Sequence, residues 1–490
     1  MLEFYNYFSR GPVPELSRRR RQMVLGVCCM SLFIVGLDNT IVNLALPSIQ
    51  HDLGASVSSL QWTIDAYTLV LASLLMLSGS TADRLGRRRT FQTGLVLFGL
   101  GSLLCGVAPS VGLLIAFRAL QAVGGSMLNP VAMSIVTNTF TDPKERGRAI
   151  GMWGATMGLS MAVGPVLGGA LVGVAGWRSI FWINVPVVIV AVVLTAVFVP
   201  ESRAPRPRRL DPVGQLLVIV FLAGLTYGII EGRDSGYGSP QILVAFVLAL
   251  VSLFVFVPYE RRRKEPLLEP RFFRSAPFSG ATLTAVCGIA AMAGFLFLNS
   301  LYLQDTRGYS ALHAGLLTLP MAIMCAICAP ISGRLVGTRG ARLPLVFAGI
   351  GTVVGALLML DLSATTPLWR LIITYIVFGI GFGLVNAPIT YAAVSGMPRA
   401  QAGVAAAIAS TSRQVGTSMG VAVIGAVVTA RVQGPFAAGL PAASHAGWWI
   451  IGACGVLVIV LGLVTTTPWA YATARSVALE EDASAGLVKA

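Results

Sequence analysis

Apolar runs of about 20 residues recur along nearly the whole of this 490-residue chain. Folded as a helix, such a run is long enough to cross the ~30 Å hydrocarbon layer of a membrane. The runs do not alternate apolar and polar residues, as the strands of a membrane barrel do. Hydrophobic residues make up 55% of the chain and charged residues only 11%, which excludes a water-soluble domain of this length. The sequence therefore predicts an all-α, multi-pass membrane protein.

Turn signals divide the apolar sequence into about fourteen transmembrane helices. They are predicted near 22–46, 62–80, 91–108, 111–136, 148–174, 180–199, 213–230, 240–258, 278–303, 313–336, 343–362, 368–394, 403–430 and 446–468. An even number of crossings puts both ends of the chain on the same side of the membrane.

Basic residues cluster in every second loop, starting with Arg18 to Arg21 and with the loop from Arg84 to Arg89. This is the positive-inside pattern, and it predicts that both termini are cytoplasmic. It also accounts for the net charge of +15, so we expect membrane lipids rather than nucleic acid as partners. Arginine far outnumbers lysine, and alanine, glycine and valine are abundant, as in proteins from GC-rich bacteria. We therefore expect a bacterial plasma (inner) membrane protein.

An internal repeat relates the two ends of the sequence. Gln50 and Gln304, like Gly79 and Gly333, are separated by the same 254 positions. We predict two six-helix halves, 22–200 and 278–468, with a linker of two inserted helices at 201–277 between them. Cytoplasmic segments 1–21 and 469–490 flank the halves. Internal symmetry of this kind is typical of transporters that bind their substrate between two repeats.

The first apolar run contains a carboxylate, Asp38. An ionisable group at membrane depth is costly to hold there, which makes it a functional-site hypothesis by default. Asp65 and Arg118 lie in the second and fourth predicted helices. At ~1.5 Å per residue, all three lie roughly 6 to 12 Å below the outer membrane face. We predict that two carboxylates and one guanidinium share one layer.

Such a layer is suited to exchange a proton for a cation. Burial opposes the ionised form of a carboxylate, whereas a nearby guanidinium or a cationic substrate favours it. Asp38 could therefore release a proton when a cation arrives, which makes the two ligands mutually exclusive. The alternative is that Asp38 and Arg118 form a fixed polar clamp between helices.

A patterned basic loop follows the second predicted helix, with the sequence Gly79-Ser-Thr-Ala-Asp83-Arg84-Leu-Gly86-Arg87-Arg88-Arg89. Its glycines permit a tight turn, and we expect Asp83 to face a helix N-terminus. The alternative is an ordinary positive-inside loop. The stretch resembles the signature loop of the major facilitator superfamily, apart from Thr81. The resemblance assigns a role in conformational switching to Gly79, Asp83, Arg84, Gly86, Arg87 and Arg88.

Other motifs narrow the resemblance to the fourteen-helix drug:proton antiporter family. The stretch from Leu37 to Pro47 resembles its first-helix motif, and Leu114 to Gly125 resembles its fourth-helix motif, with Ala122 in place of a glycine. The stretch from Trp177 to Pro186 is also similar to the family. The fifth helix resembles the antiporter motif, with Ser160 in place of a glycine; its residues are Gly151, Ser160, Gly164, Pro165, Gly168 and Gly169. In the family this motif controls leak; ordinary small-residue packing is the compatible alternative.

The resemblance implies a substrate cavity between the halves. Asp38, Asp65 and Arg118 are its expected proton-coupling and substrate residues. The candidate cavity-lining residues are Asn43, Trp62, Tyr67, Gln121, Asn129, Tyr375 and Asn386. An acid at Asp65 resembles members that export cations. Because an amide in a bundle is as often interhelical glue, the asparagines also fit a packing role.

The sequence as a whole favours an exporter of amphipathic, cationic drugs that is driven by the proton gradient. It contains no Walker-type phosphate-binding loop and no metal-binding constellation, so we expect no cofactor, no metal and no enzymatic activity. The expected partners are protons and a small-molecule drug or metabolite, and the expected state is a monomer. One alternative is an exporter dedicated to a single metabolite, such as a self-made antibiotic, a siderophore or a lipid. More distant alternatives are a membrane-embedded lipid-carrier enzyme and a non-transporting sensor.

Overall fold

Helices form nearly all of the structure, a computed structural model that describes residues 17–203, 211–263, 270–395 and 402–487. The helices are α1 Arg18–Leu53, α2 Val57–Leu85, α3 Arg87–Gly106, α4 Val111–Thr139, α5 Pro143–Ala175, α6 Ser179–Trp182, α7 Asn184–Phe198, α8 Pro212–Ser235, α9 Pro240–Arg262, α10 Ala276–Leu301, α11 Ala311–Arg339, α12 Arg342–Leu358, α13 Leu368–Val394, α14 Ala402–Thr429, α15 Phe436–Val464 and α16 Pro468–Leu487. A 3₁₀ turn, Pro270–Arg274, precedes α10, and a π-helical turn, Tyr302–Thr306, follows it. Those four ranges contain no strand.

Every predicted apolar run overlaps one of these helices, which confirms the all-α prediction. Within the described ranges, ten helices are long and apolar enough to cross a membrane. Several helices are longer than their apolar runs because polar residues cap them. α1, for example, begins after Ser17, whose hydroxyl accepts the Arg20 amide over 3.3 Å, and ends at Gly54 with φ +60°. α16 is a further helix in the predicted C-terminal segment.

The chain reverses direction at two faces of the bundle. The basic face carries the turns that arginine clusters flank, among them those at 86, 140–142 and 340–341. The opposite face carries the turns at 54–56, 176–178 and 307–310. The positive-inside rule predicts that the basic face is cytoplasmic.

Helix pairing recurs in the two parts of the chain. α1 packs on α5, while α2 and α3 both pack on α4. Likewise α10 packs on α14, while α11 and α12 both pack on α13. We refer to α1–α5 as the first set of helices and to α10–α14 as the second set. The two sets contact each other mainly through α5 against α11 and α2 against α14. The inserted helix α8 packs on both α2 and α14.

Hydrogen bonds at the opposite face join the two sets, and a proline makes the first of them possible. Pro47 lies within α1 and has no N–H, so the Asn43 carbonyl lacks its usual helical donor. The Ser300 hydroxyl donates to this carbonyl over 2.5 Å, and Gln304 Nε2 donates to the next one, Leu44 O, over 2.9 Å. Polar side chains of the second set thus bind backbone acceptors of α1.

Glycines allow α3 and α4 to approach closely. A Cβ atom added at Gly124 would overlap the Phe98 backbone and approach Gly94 O. At Gly112, on the same helix, an added Cβ would meet no atom within 4 Å.

We expect Gly124→Ala to lower the free energy of unfolding by about 1–3 kcal/mol, because the backbone of α3 must move to admit a methyl group. Gly112→Ala is the matched control and should leave stability nearly unchanged. Thermal unfolding of both purified variants in one detergent measures the difference. Equal midpoints for the two variants would contradict the close helix contact.

Candidate proton and substrate site

Asp38 is fully buried in α1 and accepts hydrogen bonds from three side chains. Arg118 Nη1 donates to Asp38 Oδ2 over 2.5 Å, which forms a buried ion pair. Gln121 Nε2 donates to Oδ1 over 3.0 Å, and Asn184 Nδ2 donates to the same oxygen over 3.5 Å. Both oxygens of the carboxylate are therefore occupied by donors.

Arg118 is held on several sides. Its Nε donates to Thr63 O over 3.2 Å, and Nη1 also donates to Gln121 Oε1 over 2.7 Å. The guanidinium carbon lies 4.1 Å from the centroid of the Tyr67 ring, a cation–π contact. A planar guanidinium makes these contacts at once, which a lysine ammonium would not reproduce.

Asp38, Arg118, Gln121 and Asn184 form one hydrogen-bonded group, the Asp38 cluster. Ser102 extends this cluster to α3. Its oxygen accepts from Gln121 over 3.3 Å and from Asn184 over 3.0 Å, and it donates to Phe181 O over 2.8 Å. Neither Asn184 nor Ser102 is among the site residues predicted from the sequence. Asn184 falls in a family-like stretch that could have indicated it, whereas no local pattern marks Ser102.

Asp65 is buried near the same depth but faces the other way. Gln61, one turn earlier on α2, donates Nε2 to Val421 O over 2.9 Å, and Leu69, one turn later, packs with Leu222 of α8. Residues four apart share a helix face, so Asp65 faces α14 and α8. Its carboxylate therefore lies outside the Asp38 cluster. The layer predicted from depth contains both acids, which face different sides of α2 within it.

Neither oxygen of the Asp65 carboxylate has a hydrogen-bond partner among the described residues. The side chain is completely buried. The hydroxyls of Ser418 on α14 and Thr68 on α2 lie near this carboxylate as potential donors, but neither reaches the geometry of a hydrogen bond to it. Buried polar groups are normally paired, so these unpaired groups need an explanation.

The candidate cavity-lining residues are mostly buried in side-chain contacts. Gln121 belongs to the Asp38 cluster, which Tyr67 contacts through Arg118, and Tyr375 is fully buried and donates its hydroxyl to Asn299 Oδ1 over 2.7 Å. Trp62 donates Nε1 to Glu231 Oε1 of α8 over 2.8 Å. Asn43 Nδ2 donates to Asn39 O over 3.2 Å, while Asn129 and Asn386 are half-buried.

The antiporter-like motif on α5 lies between α1 and the second set of helices. Added Cβ atoms at Gly164 and Gly168 would meet Thr40 and Ile41 of α1, and one at Gly169 would overlap Ala311 of α11. Pro165 lies within α5, its carbonyl faces Gly315 of α11, and Ser160 is buried. Gly151 lies on α5, but its surroundings fall outside the described side chains. The motif's glycines thus permit close contact on two sides.

The basic signature loop leads into α3, whose N-terminus is capped by Glu201. Asp83 Oδ1 accepts from Arg87 Nη2 over 2.9 Å and does not cap α3. Glu201 instead accepts from the backbone N–H groups of Arg88 and Arg89 over 3.2 and 3.3 Å. Gly86 makes the turn with φ +115°. An acid more than 100 residues away in the chain thus occupies the N-terminus of α3, and the role of Asp83 at a helix N-terminus stays a prediction.

Sequence and fold comparisons identify the family. A family model described as Major Facilitator Superfamily matches residues 28–421. The chain belongs to the major facilitator superfamily. This confirms the predicted resemblance and makes the chain a membrane transporter rather than an enzyme.

Relatives of the chain carry drug-resistance names. The "Multidrug resistance protein Stp" of Mycobacterium tuberculosis is 38% identical over 412 residues, which cover 84% of this chain and 76% of that protein. The "Puromycin resistance protein pur8" of Streptomyces alboniger is 34% identical over 98% of this chain and 96% of that protein. Among solved structures, a bacterial homolog of the human lysosomal transporter Spinster matches with a TM-score of 0.67 at 17% identity. That match covers 95% of this chain and 99% of that chain, and it shows the shared fold.

We expect Arg118→Met to lower the free energy of unfolding by about 3–5 kcal/mol, because it leaves the Asp38 carboxylate buried without its counter-charge. Combining it with Asp38→Asn should recover at least about 2 kcal/mol of that loss. Arg339→Met, at an exposed arginine, is the control. Denaturation of the wild-type protein, the Arg118→Met and Asp38→Asn single variants, their combination and the Arg339→Met control in detergent measures the coupling, and strictly additive losses would contradict the ion pair.

Proposed function

We propose that this transporter exports amphipathic, cationic drugs in exchange for protons across a bacterial plasma membrane. The drug-resistance names of its relatives support export, and the unpaired acid Asp65 supports coupling to protons. We further propose that the chain crosses the membrane fourteen times with both termini cytoplasmic, and that it acts as a monomer among lipids without a cofactor. The proton gradient is then its energy source, and each charge moved across 100 mV yields about 2.3 kcal/mol.

The observation that carries this proposal is the position of Asp65 between the two sets of helices. An ionised carboxylate there has no counter-charge in the described part of the chain, whereas a bound proton or a cationic ligand would neutralise it. The two ligands would compete for one acid. Because α2 carries Asp65 and α14 faces it, occupancy of this acid can bias how the two sets of helices pack.

The Asp38 cluster has a complementary role in this proposal. Its ion pair and amides tie α1, α2, α4 and α7 together, so these helices can move as one body. This arrangement favours the clamp alternative over direct proton exchange at Asp38. The clamp keeps Asp65 and its helix in register with α4.

A second candidate is export of one dedicated compound. The puromycin-resistance name of a relative that covers nearly the whole chain favours it. Susceptibility of cells to a panel of unrelated drugs separates the two candidates, since a dedicated exporter protects against one compound class only.

We expect Asp65→Asn to reduce ethidium efflux from energised cells by about tenfold or more, because an amide cannot exchange a proton. Asp361→Asn is the matched control, since Asp361 is an exposed acid 3.4 Å from Arg370. Proton release on ethidium binding, followed with a pH indicator in weakly buffered detergent solution, gives the mechanistic readout. Wild-type protein and Asp38→Asn should release a proton, and Asp65→Asn should not.

Unchanged efflux by folded Asp65→Asn would refute the assignment of coupling to this acid. Proton release by Asp65→Asn together with none by Asp38→Asn would return the role to Asp38. Absence of any cation efflux by the wild-type protein, with protection against one neutral drug, would favour the dedicated exporter.

A further inference from the structure

A cleft of about 600 Å³ opens at the opposite face, remote from the basic loops. One wall comes from the end of α1 and the turn between α5 and α6, and the other from the π-helical turn and the start of α11. The two sets of helices therefore form the cleft together. It is separate from Asp38 and Asp65, neither of which lines it.

On the first wall the charges cancel. Arg178 Nη1 donates to Asp52 Oδ2 over 2.6 Å, and Trp177 Nε1 donates to the same oxygen over 2.8 Å. The Arg178 guanidinium also lies 4.3 Å from the Trp177 ring centroid. This acid and this base therefore satisfy each other, and His51 is the other titratable side chain that lines this wall.

On the second wall one carboxylate, that of Asp305, has no basic partner among the described residues. Asp305 lines the cleft from the π-helical turn, and its Oδ2 is buried without a hydrogen-bond partner among the described residues. No basic group in those ranges lies within ion-pair distance of it. Arg307, on the same turn, instead donates Nη1 to Thr366 O over 2.6 Å and Nη2 to the Tyr309 hydroxyl over 2.9 Å. The cleft therefore carries one uncompensated negative charge.

Hydrogen bonds to both sets of helices hold the π-helical turn that carries Asp305. Thr306 Oγ1 donates to Ala437 O over 2.8 Å, the Tyr302 hydroxyl donates to Ser363 O over 2.6 Å, and Gln304 reaches α1. A π-helical turn is rare and is frequently found at functional sites. The backbone segment that carries Asp305 is thus held in place.

An aromatic surface lies on the facing wall. Trp182 lines the cleft and keeps 45% of its surface exposed. An indole face binds planar and cationic groups. A fixed carboxylate on one wall and an indole on the other suit a planar organic cation rather than a metal ion, which would need several oxygen ligands.

We propose that this cleft is a second binding site, which takes a monovalent organic cation between Asp305 and Trp182. The ligand class rests on the proposed function. The cleft would be a binding site at the opposite face, in addition to the buried acids Asp38 and Asp65. Because each set of helices supplies one wall, rearrangement of the sets changes the distance between the carboxylate and the indole. The site therefore binds the exported cation in one packing of the halves and releases it in another.

Ethidium, a planar monovalent aromatic cation, is the probe. Tryptophan quenching by ethidium is titrated in nanodiscs at pH 8 for the wild-type protein and for Trp182→Phe, and their difference isolates the signal from Trp182. Asp305→Asn should shift the midpoint of this signal to about tenfold higher ethidium concentration, because the charge–charge and cation–π contacts act together. Asp305→Glu should restore it, and Asp361→Asn should leave it unchanged.

A second variant protects the test against misfolding of Asp305→Asn. Ser48→Lys adds a positive charge on the first wall at a half-exposed position, and it should shift the midpoint in the same direction. An unchanged midpoint in folded Asp305→Asn or in Ser48→Lys would overturn the proposal. So would quenching in Trp182→Phe equal to that in the wild-type protein.

The outcomes for the cleft and for export are separable. Loss of efflux in Asp65→Asn with an unaltered Trp182 signal in Asp305→Asn would sustain the exporter and overturn the cleft site. An Asp305-dependent Trp182 signal in a protein that moves no cation would sustain the cleft site and refute the exporter.

Discussion

The ion pair between Asp38 and Arg118 constrains the first set of helices more than any other contact. Both charges leave water on folding, and attraction between them offsets this only when the geometry is good and the remaining donors and acceptors are occupied. Gln121 and Thr63 supply those partners from helices that must therefore lie at fixed heights and rotations. A shift of one helix along its axis by a single turn would leave one of the two charges unpaired. The position of α1 in the bundle is thus set by electrostatics as well as by apolar packing.

Sequence patterns predicted the helices well because apolar runs are local, whereas partners across the bundle are not. Depth along separate helices was enough to place Asp38 and Arg118 in one layer, since both heights follow from the helical rise per residue. The direction of Asp65 depended on where α14 packs, which no run of residues reveals. Glu201 caps α3 from far away in the chain, and no local pattern around α3 indicates that partner. Helix ends were underestimated because capping residues such as Ser17 are polar and lie outside apolar windows.

The inserted helix α8 connects the two sets rather than lying apart from them. Glu231 binds Trp62 of α2, and Leu222 packs with Leu69 of α2 and near Val415 of α14. A helix in contact with both sets must slide or tilt whenever they rearrange. Its polar contacts lie near both of its ends, where Glu231 binds Trp62 and Gln215 donates to the Ser73 carbonyl of α2, and its apolar contact lies between them.

Pro47 makes possible a hydrogen bond at the opposite face that can break without disturbing the helix α1. The Asn43 carbonyl is left without a helical donor by the proline, so no intrahelical bond forms or breaks when Ser300 binds it or leaves it. Water can take the place of the serine hydroxyl once the face opens, and a water-mediated bond is nearly as favourable in enthalpy as a direct one. The closed and open arrangements of this face then differ little in hydrogen-bond energy. Because Pro47 has no N–H, the two sets of helices share a hydrogen bond at this face that can break and re-form repeatedly without loss of helical structure.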